Sequence, residues 1–403
     1  MSKKIITQKI QIKVSKEAET EFIKNFGYRR WIYNKGLEKW NKRYQYCRDN
    51  NLFEKVKDPN ISDQYRKELK KFLPSERTIR DMVSRYDKTS WRKDRPMIIF
   101  QSAISDLARA FKMFHSGYSG SPKFISKKNS PESCRYIRNN DYTIQLRGDN
   151  KRRLKLVKTP EVTLMEPVKY EGVIKQVTIT REIDKWYASL TIETKSNPKE
   201  IPDKRSEICG VDLGVRTFAT VYDDNGEIHT FNSQIDKLEK LYYKTKMYNR
   251  IMSRKIKGSR NYLDTRIKYQ RTWKKIRNIR SNMVHQLTSF LVRNYNYITI
   301  EDLDVREMIT NKNNLSKGIR KTIAESCFYE VKIQLEYKTQ FFNSELVQVN
   351  RYFPSTQICS DCGKRTKIGR SKTYKCRSCE HTLDRDINAS INIMREGKRI
   401  KDI

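Results

Sequence analysis

Two pairs of cysteines late in the sequence constrain its fold more than any other feature. Cys359-x-x-Cys362 and Cys376-x-x-Cys379 are separated by thirteen residues. Each pair places two sulfurs on one tight turn, and two facing turns supply the four thiolates that tetrahedral zinc prefers. The alternative is four ordinary buried cysteines that fall at this spacing by accident. The spacing predicts a zinc ribbon over residues 355–382, in which the nearby His381 is not needed as a ligand.

The charge of the chain limits the class of partner. Its 403 residues carry 85 lysines and arginines against 47 aspartates and glutamates, a formal net charge of +38. Because so many positive charges repel one another, we expect a polyanionic partner that neutralises them, and nucleic acid fits best. A membrane surface is the rival partner, but no apolar run approaches the length of a span and no secretory signal is visible. We expect an intracellular, soluble protein of two or three domains.

The first half of the chain alternates between strand and helix patterns. Residues 5–14 alternate apolar and polar side chains, as in a half-buried strand, and Ser15 is a predicted cap for a helix over residues 16–50. A helical module continues to residue 115. Residues 142–195 return to short alternating strands, which predict a small antiparallel sheet or barrel. The opening strand is expected to join that sheet, which makes the helical module an insertion in a β-rich domain.

The second half combines apolar strands with basic helices. Residues 207–215 and 297–304 are predicted strands that carry or end on acids, and a hairpin with its turn at residues 223–226 follows the first of them. Residues 235–295 form a long, strongly basic helical stretch, whose charged face is either simply solvated or follows phosphates. A further helix over residues 315–340 and a further strand precede the cysteines.

Three acids are candidates for a shared metal site. Asp212 and Glu301 lie in apolar stretches, where an ionised carboxylate is unfavourable unless a cation or donor compensates it, and Asp386 begins a predicted helix. Three converging carboxylates could hold two divalent ions for in-line attack on a phosphodiester, and Mg²⁺ prefers such hard oxygen ligands. The alternative is that acids at these places are caps or salt-bridge partners, which is the role we expect for Asp302, Asp304 and Asp384.

Four segments resemble the TnpB family of transposon-encoded nucleases, which is related to the Fanzor proteins and to type V CRISPR effectors. They are Gly210-Val-Asp212-Leu-Gly214-Val-Arg-Thr-Phe-Ala, Ile300-Glu301-Asp-Leu-Asp, Tyr352-Phe-Pro-Ser-Thr-Gln-Ile-Cys-Ser-Asp-Cys-Gly and Asp384-Arg-Asp386-Ile-Asn-Ala-Ser-Ile-Asn-Ile. These segments are similar to the three RuvC blocks and the zinc ribbon of that family. The chain departs from the family pattern at Ser390 and Ile125, and neither position is a metal ligand.

The resemblance implies a multidomain α+β protein. Residues 1–14 and 116–203 would form a wedge-type β-barrel domain, interrupted by a helical recognition domain at residues 15–115. Residues 204–403 would form an RNase H-like RuvC α/β domain that carries the inserted zinc ribbon.

The resemblance also implies an RNA-guided DNA endonuclease. A guide RNA from the element's own locus would pair with double-stranded target DNA next to a short adjacent motif, which creates an RNA–DNA heteroduplex. A single site with two Mg²⁺ ions would then cut the DNA, with Asp212, Glu301 and Asp386 as ligands. Asp386 is preferred to Asp384 because it stands in the Asp-x-Asn-Ala setting of related proteins. The expected location is the cytoplasm of a prokaryote, or the nucleus for a eukaryotic or viral host.

Contacts to nucleic acid are expected on the first half of the chain. The aromatic, polar and basic side chains predicted to make these contacts are Tyr28, Arg29, Arg30, Gln101, Ser102, Lys123, Lys127 and Lys128. Two other functions stay open. One is a guided DNA-binding protein or repressor without cleavage, which would lack one of the three acids; the other is a structure-selective nuclease that needs no guide.

Overall fold

The computed structural model describes residues 4–85, 94–128, 130–140, 142–194, 203–303, 307, 310, 326–367 and 371–403. Asp304 and the first part of the helix predicted over residues 315–340 lie outside these residues. The chain divides into two compact units, Met1–Pro198 and Lys199–Ile403. Within the described part, no helix combines the length and apolarity that a membrane span requires.

The first unit contains a seven-stranded antiparallel sheet. Its strands are β1 Lys4–Lys13, β2 Glu132–Ile137, β3 Ile144–Arg147, β4 Arg153–Leu156, β5 Val162–Leu164, β6 Val173–Glu182 and β7 Lys185–Thr194. Their order is β2-β6-β7-β1-β5-β4-β3, and β3 returns close to β6, so the sheet is a nearly closed barrel. Strand β1 pairs with both β7 and β5. The opening strand therefore joins the sheet built by later strands, as predicted.

Helices complete the described part of the first unit; the first, fourth and fifth of those named next share the core of the sheet, and the second and third pack with Cys47 in a smaller apolar cluster. The helices are α1 Lys16–Asp49, α2 Leu52–Lys57, α3 Asp63–Phe72, α4 Glu76–Arg85 and α5 Met97–His115. The Ser15 hydroxyl caps α1 by accepting the Ala18 N–H at 3.2 Å, as predicted. The Phe26 ring of α1 stacks on Trp186 of β7 with centroids 5.7 Å apart. One apolar core thus spans sheet and helices, and their separation into wedge and recognition domains stays a prediction.

The second unit is built on a five-stranded mixed sheet. Its strands are β8 Ser206–Leu213, β9 Thr217–Asp223, β10 Ile228–Asn232, β11 Tyr295–Glu301 and β12 Glu345–Val349, in the order β10-β9-β8-β11-β12. Strands β8, β9 and β10 are antiparallel, whereas β11 runs parallel to both β8 and β12. The Asp223 carboxylate accepts the N–H groups of Asn225 and Glu227, which closes the predicted hairpin turn.

Helices cover both faces of this second sheet. The helices of this unit are α6 Ile235–Ser253, α7 Arg260–Asn294, α8 Phe328–Phe342 and α9 Arg385–Lys401; α7, α8 and α9 contact the sheet, and α6 packs along α7. The long basic stretch is therefore two helices, because Gly258 adopts φ +91° and Ser259 caps α7. Alternate residues of β8 and β11, such as Val211 and Ile300, pack towards α7 and α8. The intervening residues face α9, which contacts β8, β9, β11 and β12.

Lys338 of α8 is a buried cation held by neutral groups. Its Nζ donates to Thr288 Oγ1 at 2.6 Å and to Ser289 Oγ at 2.9 Å. Burial, assisted by the charge of Arg293, lowers the pKa of Lys338 to about 8 from its ordinary value of 10.5. The folded state therefore holds this proton less tightly than the unfolded state does.

We expect Lys338→Met to stabilise the protein at pH 7. Below pH 8 the lysine is charged in both states, and the folded state carries the full desolvation penalty, about 3 kcal/mol for a shift of this size. As pH rises from 8 to 10.5 the folded lysine loses its proton first, so the advantage of the variant should disappear. Urea denaturation at pH 7 and pH 10.5 measures this. Lys332→Met, which removes a cation paired with Asp302 at 2.9 Å, is the control and should bring no gain; equal stability of Lys338→Met and wild type at pH 7 would contradict the prediction.

Candidate active site and metal centre

The structure brings the three nominated acids to one edge of the second sheet. Strands β8 and β11 run parallel with Val211 opposite Ile300, so Asp212 and Glu301 lie side by side at their carboxyl ends. Both side chains fall on the face covered by α9, because side chains alternate along a strand. Asp386 lies in the first turn of α9. All three residues are half-buried, within reach of solvent and of one another's charge.

The electrostatics of this edge favour a bound cation. Burial, and then the negative charges of Glu301 and Asp386, raise the pKa of Asp212 to about 8. Burial also raises the pKa of Glu301, against a hydrogen bond donated by the Ser355 hydroxyl, which lowers it. Adjacent carboxylates destabilise one another's charged forms unless a positive charge lies between them. The donor set is made of hard oxygen atoms and fits a divalent ion such as Mg²⁺.

Helix α9 lies directly on the strands that carry the other two acids. A Cβ atom on Gly210 would overlap the Ser390 carbonyl oxygen and the Met394 N–H, and would lie 2.7 Å from Met394 Cβ. A Cβ on Gly397 would overlap the side chain of Thr299 of β11. Gly210 and Asp212 share one face of β8. The backbone contact at Gly210 therefore sets how far Asp386 stands from Asp212.

Two acids beside this group have the structural roles that we expected. Asp302 accepts from Lys332 at 2.9 Å and from Arg351 at 3.1 Å. Asp384 is the N-cap of α9, where its carboxylate accepts the Asp386 N–H at 2.9 Å. Their carboxylates are engaged as a salt-bridge partner and as a helix cap, respectively.

The four cysteines of the two pairs form one cluster. Their sulfur atoms all lie within 4.8 Å of one another, and the Cys359–Cys379 and Cys362–Cys376 distances are both 3.6 Å. Zinc with bonds of about 2.3 Å to a tetrahedron of thiolates holds the sulfurs roughly 3.8 Å apart, so the cluster fits this ion. The short strands β13 Thr373–Lys375 and β14 Thr382–Asp384 support it. His381 contributes its backbone carbonyl to Cys376 N–H at 2.9 Å.

We expect Cys359→Ser to remove zinc from the protein. Cys359 is fully buried, and loss of one thiolate weakens a site whose binding energy also folds the surrounding loops. Elemental analysis should show about one zinc per chain in the wild type and almost none in the variant. Cys327→Ser, a change of the same type away from the cluster, should keep its zinc. A wild-type protein purified without zinc would contradict the assignment.

The nominated nucleic-acid residues fall into exposed and buried sets. Lys123, Lys127 and Lys128 are exposed, as a contact role requires. Arg29 lies 3.7 Å from Asp106, and Arg30 is half-buried. Gln101 is also half-buried and accepts a hydrogen bond from Asn139 at 3.2 Å.

Tyr28 and Ser102 are corrections to the sequence interpretation. Tyr28 is only 3% exposed and Ser102 is fully buried, so neither side chain stands on the surface where nucleic acid would contact it. The positions of both residues in their helices indicated that they are buried. Tyr28 precedes the buried Ile32 by four residues, and Ser102 adjoins the buried Ala103. A polar or aromatic side chain on an otherwise apolar helix face belongs to the core more often than to a contact surface.

Sequence reasoning also missed three polar residues near the acids. Ser355 donates to Glu301, while Asn388 and Asn392 of α9 bind the backbone that leads into the cysteine cluster. The available signal was a pair of asparagines four residues apart in an amphipathic helix. Asparagine is a weak helix former, so such a pair indicates specific hydrogen bonds.

Three family models match separate parts of the chain. A model described as a probable transposase, OrfB_IS605, covers residues 189–312. A Cas12f1-like TNB domain model covers residues 328–393, and a model described as a helix-turn-helix domain covers residues 1–48. In the structure, Lys16–Asp49 is one uninterrupted helix, so the last description does not fit the local fold.

Proteins similar over most of the chain are known from bacteria. Escherichia coli K12 InsQ is 28% identical over 326 residues, which cover 78% of this chain and 77% of InsQ. A Streptomyces pristinaespiralis protein is 28% identical over 77% of this chain and 75% of its own. The names of both provisionally assign them as RNA-guided DNA endonucleases. The cryo-EM structure of a Cas12f1–sgRNA–target DNA complex matches the fold with a TM-score of 0.50 and 14% identity, over 97% of this chain and 99% of that one.

The mixed α/β fold with its nearly closed barrel, the cysteine cluster and these matches together define a nuclease related in fold to the Cas12 effectors. The chain is also 30% identical, over 50% of its length, to a TnpB-like protein of Acanthamoeba polyphaga mimivirus, so the resemblance to TnpB proteins that its four motifs indicated is confirmed.

Proposed function

We propose that the protein is an RNA-guided DNA endonuclease that hydrolyses target DNA beside a short adjacent motif. The observation that carries this proposal is the meeting of Asp212, Glu301 and Asp386 at one sheet edge. Two Mg²⁺ ions held there would activate the attacking water and neutralise the leaving oxygen. The three carboxylates would bind and space these ions, and the hydrogen bond from the Ser355 hydroxyl favours the ionised form of Glu301 against the effect of burial, which raises its pKa. Zinc bound by the four cysteines has a structural role, because a closed set of four thiolates leaves no open position for substrate.

The sheet supports an RNase H-like RuvC domain. Three antiparallel strands are followed by two parallel ones, and the acids stand on the first and fourth strands and on the last helix. The proposed wedge barrel and recognition helices belong to the first unit. The proposed partners, a guide RNA and double-stranded target DNA that form a heteroduplex, follow from the names of the relatives and from the net charge of +38. A protein that leaves sequence reading to base pairing must hold nucleic acid by its backbone.

A basic surface at α6 of the second unit would guide a single DNA strand towards these acids. Lys246 and Arg250 of α6 and Arg254, which caps its C-terminus, follow one another at four-residue steps, so their Cα atoms are about 6 Å apart along the helix axis. Tyr243 on the same helix is 71% exposed and could stack on a base. Among the described residues, none of these three cations has a carboxylate partner. These basic residues adjoin a cavity of about 400 Å³. Tyr243, Lys246 and Gly214 line this cavity, and Gly214 follows the strand that carries Asp212.

The proposal is tested by the RNA that accompanies the protein. The purified protein should carry one discrete RNA, and the complex should cut DNA that matches a replaced guide segment, only with Mg²⁺ present. Stable binding of matched DNA without cuts would instead show a guided binding protein. Cleavage of branched DNA by RNA-free protein would show a structure-selective nuclease. Either outcome contradicts the proposal.

A further inference from the structure

The backbone segment Ser355–Ser360 connects Glu301 to the cysteine cluster. At its start, the buried Ser355 donates its hydroxyl to the Glu301 carboxylate. Near its end it contains Cys359, the first thiolate of the cluster. The segment is therefore in direct contact with an acid and also supplies a cysteine ligand.

Helix α9 holds this segment through buried amide side chains. Asn388 donates to the Ile358 carbonyl at 2.7 Å and accepts the Ser360 N–H at 2.9 Å. Asn392 donates to the same Ile358 carbonyl at 2.7 Å and to the Ser355 carbonyl at 2.8 Å. The two amides are 0% and 4% exposed. Buried polar groups of this kind are retained where they fix one arrangement of the backbone, because an unmet partner is strongly unfavourable.

We propose that Ser355–Ser360 is a strut that sets the spacing of Glu301 and Asp386. Ser355 is the positioning residue for Glu301, and Asn388 and Asn392 fasten the strut to the helix that begins with Asp386. The cysteine cluster holds the far end of the strut. Zinc at the cluster thereby supports Mg²⁺ binding at the acids without taking part in the reaction. This inference rests on the proposed function in one respect, that the acids bind Mg²⁺.

The physical basis is the short path between the two sites. Glu301 ends β11, and Asp386 begins α9. Besides the contact of Gly397 with Thr299 of β11, the strut joins these two elements through hydrogen bonds that are buried or partly buried. Groups that orient a metal ligand typically change metal affinity or activity by about 10–100-fold when they are removed.

The first experiment measures Mg²⁺ dependence in the RNA-loaded protein. Ser355→Ala should raise the Mg²⁺ concentration for half-maximal cleavage about tenfold. Ser355→Thr keeps the hydroxyl and should restore most of the affinity. Ser360→Ala removes the same atom from the other end of the strut and is the matched control, with the Mg²⁺ dependence of wild type. Wild-type Mg²⁺ dependence in Ser355→Ala would overturn the inference.

The second experiment tests the fastening to α9 without any need for cleavage. Asn392→Ala should release zinc to a chromophoric chelator faster than wild type, and calorimetric titration with Mg²⁺ should show weaker binding. Asn294→Ala removes an amide that binds the Phe290 carbonyl within α7 and should change neither quantity. Unchanged zinc release and Mg²⁺ affinity in Asn392→Ala would overturn the strut. Where that variant does not fold, Ser355→Ala decides the question alone.

The two proposals fail in distinguishable ways. A wild-type complex that binds Mg²⁺ but does not cut guide-matched DNA contradicts the proposed function, and calorimetry on Ser355→Ala still tests the strut. A wild-type complex that cuts normally, with an unaffected Ser355→Ala variant, contradicts the strut alone. A wild-type protein that binds no Mg²⁺ contradicts both.

Discussion

Asp212→Asn should reduce the rate of DNA cleavage more than about a thousandfold while leaving the bound RNA in place. The asparagine keeps the shape of the side chain but removes one of three negative charges that would hold Mg²⁺. The same change should raise the thermal midpoint of the metal-free protein. The pKa of Asp212 is raised to about 8 by burial and by its acidic neighbours, so its charged form is unfavourable there without a cation. Cleavage of guide-matched DNA, co-purified RNA and thermal unfolding in chelator measure the three effects.

Matched substitutions separate this loss from general damage. Glu301→Gln and Asp386→Asn should lose cleavage in the same way. Asp302→Asn changes the residue next to Glu301, and its carboxylate is engaged with Lys332 and Arg351. This control should keep cleavage, because it leaves the three acids intact. A wild-type rate in Asp212→Asn would remove Asp212 from the site.

Gly210→Ala should reduce cleavage about a hundredfold with all three acids still present. The added methyl group would overlap backbone atoms of α9 at Ser390 and Met394, and a helix backbone cannot rotate away as a side chain can. The helix must therefore move outward and carry Asp386 away from Asp212. A displacement of about 1 Å is enough for a loss of this size. Overpacking should also destabilise the protein by about 1–3 kcal/mol.

A glycine in an open place provides the control. Gly27 lies within α1, and the nearest atom to an added Cβ is the end of the Arg30 side chain at 4.0 Å. Gly27→Ala should keep cleavage and stability at wild-type level or slightly above, because alanine favours the helix. Cleavage rate and urea denaturation of both variants are the measurements. Full activity in Gly210→Ala would show that the helix contact does not set the spacing of the acids.

Local patterns were sufficient to predict most of the strands, the start of α1 and the cysteine cluster, but not strand β2. Ser15 caps α1 because a hydroxyl before a helical pattern meets the first free N–H groups. The turn after Asp223 was readable because its Asp-Asn-Gly chemistry is local. The convergence of Asp212 with Glu301 was not readable from spacing. It depends on the parallel pairing of two strands far apart in sequence, and only the resemblance to a known family supplied it.

The errors arose where burial decides the role of a side chain. Tyr28 and Ser102 have the chemistry of nucleic-acid contacts, yet packing between helices and sheet encloses them. Asn388 and Asn392 were read as part of a motif, whereas their partners are backbone groups some thirty residues earlier. Which side of a helix faces the core follows from its neighbours, and one sequence does not show those neighbours.

The packing of α9 on β8 also has a consequence for synthesis of the protein on the ribosome. Strand β8, the hairpin behind it and β11 can pair while later residues are still being made. They hold only two of the acids until α9 emerges and docks against Gly210. Contacts between such distant parts of a chain form late in folding. A nascent or truncated chain that ends before Arg385 would thus have a folded sheet without a complete metal site. DNA cleavage would therefore begin only after the rest of the domain has folded.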